Sequence, residues 1–277
     1  MAAPPSLVPF MSACFEQAKV QLARAERLGW AIGGVGLIVA ILPVTWERLA
    51  WWLGLGSLTA LLIQRVLLYW FRERHCEGER IKRRLILADG LGDEIGEEEL
   101  DDLKAECGDL TGDGSPYTAT TLEPGANRLA AVVRECAWWT SKLQRLVACR
   151  FWWRAICTTG LFVLVILALL FVVADQGLGG TGVAKGAAAI LALLVAVDYW
   201  GRWWECREVS VQCERYVERC TGLLKNGQAD LNQVVPVALD YCAATVVSYP
   251  IPTSVYEGKQ EHLNRLWSQV DCPPTST

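Results

Sequence analysis

The sequence predicts an all-α membrane protein: four transmembrane helices arranged as two hairpins, with helical cytoplasmic extensions. Three observations carry this. Apolar residues fill 52% of 277 positions and the mean hydropathy is +0.24, a positive value that soluble domains of this length seldom reach. Ala155–Ala174 runs 20 positions without a charge, about the length a helix needs to cross a hydrocarbon core at ~1.5 Å per residue. The pattern recurs, and lipid offers the backbone no hydrogen-bond partner outside a helix or a closed barrel.

Residues 1–27 form a cytoplasmic N-terminal segment, loose at first and then amphipathic from Ser12, with Phe15, Val20 and Leu22 opposite Glu16, Lys19 and Arg24. It is not a cleavable leader, since it carries Glu16 and Glu26 and no small-residue cleavage site follows the apolar run. Residues 28–71 form hairpin 1. Its first span, Leu28–Thr45, is rich in glycine, which lets helices approach closely in lipid. The turn Pro43–Arg48 leads to a second span, Leu49–Leu68, with Trp46, Trp51 and Trp52 at one interface and Tyr69-Trp70-Phe71 at the other. Arg65, in the last turn of that span, either snorkels to the headgroups or pairs with Asp198 near the end of the fourth span.

Residues 72–154 are a cytoplasmic helical segment. It continues the second span as a polar helix and then turns acidic between Asp89 and Asp109. A carboxylate-based catalytic or divalent-ion site lacks the Asp-x-Asp-x-Asp-Gly loop it would need, and a solvated acidic helix is the simpler reading. A Gly/Pro/Thr-rich loop, Thr111–Gly125, precedes a helix from Asn127 that enters the third span through Phe151-Trp152-Trp153. Residues 155–200 form hairpin 2, with a glycine-rich turn at Gly177–Gly182 and a fourth span at Val183–Trp200.

Residues 201–277 are a cytoplasmic C-terminal helical region. Cys206, Val209, Cys213, Tyr216, Cys220 and Leu223 recur at spacings of three and four, an a/d stripe. The stripe packs either on a helix of its own chain or as the seam of a homo-oligomer. Leu231–Ser248 reads as a further helix, Tyr249-Pro-Ile-Pro252 as a break, and Val255–Val270 as an amphipathic helix. An internal repeat at an offset of 130 positions relates Tyr69-Trp70-Phe71-Arg72 to Tyr199-Trp200-Gly201-Arg202.

Orientation follows from Lys and Arg. The two proposed outer loops contain only Arg48 and the edge residue Lys185 as basic residues, so the positive-inside rule places both termini in the cytoplasm. The 11 cysteines avoid the two outer loops and read as reduced thiols packed like small apolar residues. No Cys-x-x-Cys pair occurs and only His75 and His262 are available, so neither a metal nor another cofactor is expected. A net charge of −4 gives no field for nucleic acid. No catalytic motif is present, so the chain is not expected to be an enzyme. One candidate binding feature is a basic collar beneath the second span, Arg72, Arg74, Lys82, Arg83 and Arg84, joined by Arg202 and Arg207. It suits anionic lipid headgroups, or an anionic messenger whose bases stack on aromatic and guanidinium planes.

Four features resemble a known family. They are the two hairpins around a cytoplasmic segment; Arg134-Glu-Cys-Ala-Trp-Trp-Thr-Ser-Lys-Leu143 before the third span; Asp240-Tyr241 in a late helix; and Pro252-Thr-Ser-Val-Tyr256. Together the chain resembles the SMODS-associated four-transmembrane (S-4TM) effectors found beside bacterial cyclic-nucleotide synthases. It lacks that family's Pro-Trp-Asn-like and Trp-Tyr-like central marks, and Lys259 stands near where an arginine is expected. The resemblance implies a multi-pass protein of the bacterial inner membrane in antiphage defence. Such an effector senses a cytoplasmic signal, a cyclic nucleotide or a cytoplasmic defence partner, oligomerises, and permeabilises the bilayer. The residues also suit a membrane scaffold that recruits a soluble partner, or a small ion channel.

Overall fold

A computed structural model describes residues 7–41, 46–107, 118, 120–176, 198–225 and 229–271. The described residues are helical with no strand, in eight helices: α1 (Val8–Ile41), α2 (Glu47–Leu91), α3 (Glu97–Cys107), α4 (Ala126–Gln176), α5 (Tyr199–Lys225), α6 (Leu231–Val246), α7 (Thr253–Glu257) and α8 (Gln260–Asp271). Two helices, over Arg48–Leu91 and Ala126–Leu164, are long and apolar enough to cross a membrane. The expected outer turn at 43–45, the glycine loop at 177–182, Lys185 and nearly all of the fourth span lie outside the described residues.

The chain divides into two compact units. The first comprises residues 1–16, 75–149 and 204–277, and the second residues 17–74 and 150–203. Four helices, α1, α2, α4 and α5, contribute a segment to each.

The first unit has a conventional apolar core. Residues spaced three and four apart on α4 (Leu129, Val132, Val133, Ala137) meet Ile86 of α2, Val209, Cys213 and Cys220 of α5, and Val234, Ala238 and Tyr241 of α6. A second cluster joins Leu7, Phe10 and Cys14 to Ile81 and Leu85 of α2 and Leu103 of α3. Local signals set the boundaries. α2 stops at Gly92, whose φ of +72° favours glycine, and a Cβ there would strike Pro124 at 2.7 Å. α6 starts where Asp230 caps it, its carboxylate accepting from Asn232 N at 3.2 Å.

Several expectations need amending. The amphipathic N-terminal helix and the start of the first span are one helix, α1, beginning at Val8. The single helix expected over Val255–Val270 is two, because α7 ends at Gly258 and Lys259 N donates back to Tyr256 O at 3.1 Å. The Cys206–Cys220 stripe is covered by the chain itself. Cys206, Cys213 and Cys220 are fully buried and Val209 nearly so, and the last three face α4 and α6 within one core. Tyr216 packs edge-on to Tyr241, with ring centroids 6.3 Å apart. These side chains are therefore not a seam between subunits; the packing on the chain's own helices is the reading that holds.

In the second unit, Ala18, Leu22 and Ala25 of α1 are buried, and Gln64 Nε2 of α2 donates to Ala25 O at 3.2 Å. Phe151, Ala155 and Phe162 of α4 and Tyr199 of α5 are also buried.

Gly90 marks a close approach of α2 to α4 in the first unit. A Cβ there would lie 2.8 Å from Leu129 Cα, a backbone atom that cannot move aside alone. Gly90→Ala should therefore destabilise by about 1–3 kcal/mol through overpacking, although alanine is the better helix former by about 1 kcal/mol. Urea denaturation followed by circular dichroism in mild detergent measures this.

Candidate functional site

Two arrangements stand out, one in each unit. The first is an uncovered apolar surface in the second unit. On α2, Leu55, Leu58, Leu62, Ile63 and Val66 are exposed, and Trp51 and Trp52 are 75% and 72% exposed. On α4, Leu161, Val163, Leu164 and Leu167 are more than half exposed or close to it. A core helix of a soluble domain hides such residues, and an uncovered apolar patch of this kind marks contact with lipid or protein. Aromatic residues close both ends of the α2 stretch. Trp51 and Trp52 stand at one end and Tyr69 and Trp70 at the other, about 27 Å apart along the axis at ~1.5 Å per residue. That is close to the ~30 Å hydrocarbon core between the two aromatic belts of a bilayer.

A ring network stitches one level of this unit. Trp30 Nε1 of α1 donates to Tyr199 Oη of α5 at 3.1 Å. Tyr199 packs on Phe151 of α4 with centroids 6.0 Å apart. Trp152 contacts Trp203 at 4.9 Å and Trp200 at 5.4 Å, and Trp200 Nε1 donates to Thr159 Oγ1 at 3.1 Å. Arg154 lies over the rings of Phe151 and Tyr199, at 6.0 and 5.9 Å. Nothing in the sequence patterns pointed to this network beyond the clustering of aromatics at span ends.

The second arrangement is a buried polar cluster in the first unit. Glu79 and Lys82, one turn apart on α2, form an ion pair at 3.3 Å, with side chains only 6% and 12% exposed. Thr245 Oγ1 of α6 donates to Glu79 Oε2 at 2.6 Å. Lys82 Nζ lies 5.2 Å from the Tyr241 ring centroid, and the Tyr241 and Thr140 hydroxyls share a hydrogen bond of 2.9 Å. Such charges are tolerated in a core because they are paired and hydrogen-bonded; loss of one partner leaves the other buried and uncompensated. Around them, burial pushes the thiols of Cys213 and Cys220 up to about 12 and that of Cys242 up to about 11. These thiols are held protonated and are poor nucleophiles at neutral pH.

Some members of the basic collar are engaged within their own unit. Lys82 turns inward to Glu79. Arg84 is held by Asp93 at 2.5 Å, by Glu99 at 3.1 Å and by Glu94 O at 3.1 Å. Arg202 pairs with Glu26. Arg72, Arg83 and Arg207 remain exposed and Arg74 is half-buried. Three of the seven basic groups are therefore already neutralised within the chain and do not offer a ligand their charge. Nor does Asp198 pair with Arg65 among the described residues. Asp198 has φ +41° and stands directly before α5, where its Oδ1 accepts from Gly201 N at 3.1 Å and caps the helix. Arg65 is exposed. No group of three metal-ligating side chains forms among the described residues.

His75, 4% exposed, stacks at 5.6 Å from Phe15. Burial pulls its pKa below the usual 6.5, outweighing the nearby Glu79, which raises it; Lys82 lowers it further. A group whose folded pKa is depressed is neutral in the fold and takes up protons more readily when unfolded. Its stabilisation is complete above the ordinary 6.5 and is lost as pH falls through the lower folded value. The urea midpoint should drop on acidification through this window, and His75→Gln should flatten that dependence; an identical slope in both proteins would contradict it. No protein-family model, no curated protein and no solved structure matches the chain.

Proposed function

We propose that the protein is a non-enzymatic effector of the bacterial inner membrane. On this reading two helical hairpins lie in the bilayer, both termini face the cytoplasm, and the first unit receives a cytoplasmic signal. The observation that carries it is the α2 surface: exposed leucine, isoleucine and valine, bounded at bilayer spacing by exposed Trp51, Trp52, Tyr69 and Trp70. Water would be a poor solvent for that surface, at a cost of roughly 25 cal/mol per Å² of apolar area left wet.

The defence role, with oligomerisation and loss of the permeability barrier after a cyclic nucleotide or a defence partner is sensed, follows the resemblance to the S-4TM effectors. It also accords with a first unit that is built around packing rather than chemistry. Its thiols are buried and protonated, and its buried ions are paired.

A second reading is favoured by one observation. On α6 Leu231 and Leu239 are exposed, and Val247 at its C-cap is 72% exposed. Such uncovered apolar side chains suit a membrane scaffold that recruits a soluble partner, which would then co-purify in fixed ratio.

Two tests separate these ideas from a soluble alternative. The protein should remain in the membrane pellet after alkaline carbonate extraction, whereas Leu58→Lys with Leu62→Lys should lower the recovered fraction severely, since a lysine near mid-bilayer costs about 2.5–3.5 kcal/mol. Wild-type protein released by carbonate would refute membrane residence. In cells carrying a potential-sensitive dye, addition of the correct cyclic nucleotide or phage trigger should depolarise the membrane within the time the protein takes to assemble. Intact potential under all such triggers would remove the effector reading and leave the scaffold.

A further inference from the structure

The aromatic level of the second unit carries more positive charge than its fold uses. Hydrogen bonds and ion pairs fix which residues share that level. Gln64 of α2 binds Ala25 O of α1, Glu26 of α1 pairs with Arg202 of α5, and Arg202 lies 5.9 Å from the Phe151 ring of α4. Arg154 lies over that same ring. Residues 24–27, 65, 150–154 and 199–202 therefore form one layer. Within it Arg24, Arg27, Arg65, Arg150 and Arg154 are exposed. None of the five has an acidic partner among the described residues.

The layer's acids are already committed. Glu26 is taken by Arg202, and Asp198 caps the helix that follows it. Meanwhile the layer is edged by exposed indoles, Trp153 at 61% and Trp200 at 41%, which favour the headgroup region. Arg150 and Arg154 are one helical turn apart, neighbours on one face. Such a pair suits a single phosphate, because guanidinium groups bind phosphate oxygens bidentately. Arg154 is held in place by the Phe151 and Tyr199 rings, which lowers the cost of ordering it.

We propose that this layer is a binding ring for anionic phospholipid, with Arg150 and Arg154 as its phosphate clamp and Arg24, Arg27 and Arg65 supplying the surrounding field. The inference rests on the membrane residence proposed above, and it names the lipid that the protein prefers. It differs from the basic collar, whose members Lys82, Arg84 and Arg202 are internally paired. The charges involved are exposed and bear no structural ion pair, so their replacement should leave the fold intact.

The experiment reconstitutes the full chain in phosphatidylcholine vesicles that contain brominated phosphatidylglycerol or brominated phosphatidylcholine. Quenching of tryptophan fluorescence then gives the relative affinity of the two lipids for the protein surface. The wild type should prefer phosphatidylglycerol several-fold. Arg150→Gln with Arg154→Gln should bring the preference close to unity, Arg65→Gln should lower it by a smaller step, and Arg→Lys at these positions should retain most of it. Raised salt should weaken the preference. Equal quenching by both lipids in the wild type, or a preference unchanged in the glutamine variants, would overturn the proposal. So would displacement of the brominated phosphatidylglycerol by millimolar inorganic phosphate, which would assign the clamp to a soluble anion. Failure of the wild type to insert even into phosphatidylcholine would refute membrane residence itself, a different result from insertion without lipid preference.

Discussion

Leu55, Leu58, Leu62, Ile63 and Val66 of α2 must be shielded from water, and the chain does not shield them. This constraint orders the rest. In water the unit formed by residues 17–74 and 150–203 would leave these side chains and Leu161, Val163, Leu164 and Leu167 wet, an apolar exposure that soluble monomers normally avoid. In lipid the same face costs nothing, and the demand moves to the backbone, where only helical hydrogen bonding serves. The described residues form helices and no strand, and the longest helices carry apolar runs, which meets both demands at once.

The other unit obeys ordinary aqueous rules. Its helices bury one stripe each, and the a/d spacing of α5 places Val209, Cys213 and Cys220 against α4 and α6. Cysteine is used there as a small apolar filler, with desolvation holding the thiols protonated. Among the polar groups buried in that core is the Glu79–Lys82 ion pair, enclosed by Thr245 and Tyr241. A paired core charge adds little net stability compared with apolar residues of the same shape. It does penalise any packing that separates the partners. That makes it a device for one arrangement of α2 and α6 over its near alternatives.

Much of this was legible from residue patterns, and the failures are instructive. The charge-free run after Ala155 and the periodicity of α5 are properties of the chain read along its own axis, so helix, polarity and buried stripe could be read directly. The basic collar could not, because a run of Arg and Lys does not say which member turns inward. Lys82 is three residues from Glu79, and only the packing of α6 over both decides that they pair in the core. Arg84 is likewise claimed by Asp93 and Glu99, which reach it only once α3 folds back after Gly92. The choice between a seam and an internal core for Cys206–Cys220 had the same character, since periodicity shows that a stripe is covered but not by what. Asp198 reads as a charge near the end of a span in one dimension and is a helix cap in three.

Helix α4 passes from Ala126 to Gln176 without a break, although beyond Arg150 its apolar side chains change from mostly buried to largely exposed. No hinge, proline or glycine kink announces the change. On the membrane reading proposed above, how deep such a rod settles is a balance of side-chain solvation summed along its surface, which can shift in steps of ~1.5 Å per residue. Evolution could therefore tune immersion by exchanging single residues near the waterline, leaving the hydrogen-bonded rod itself untouched.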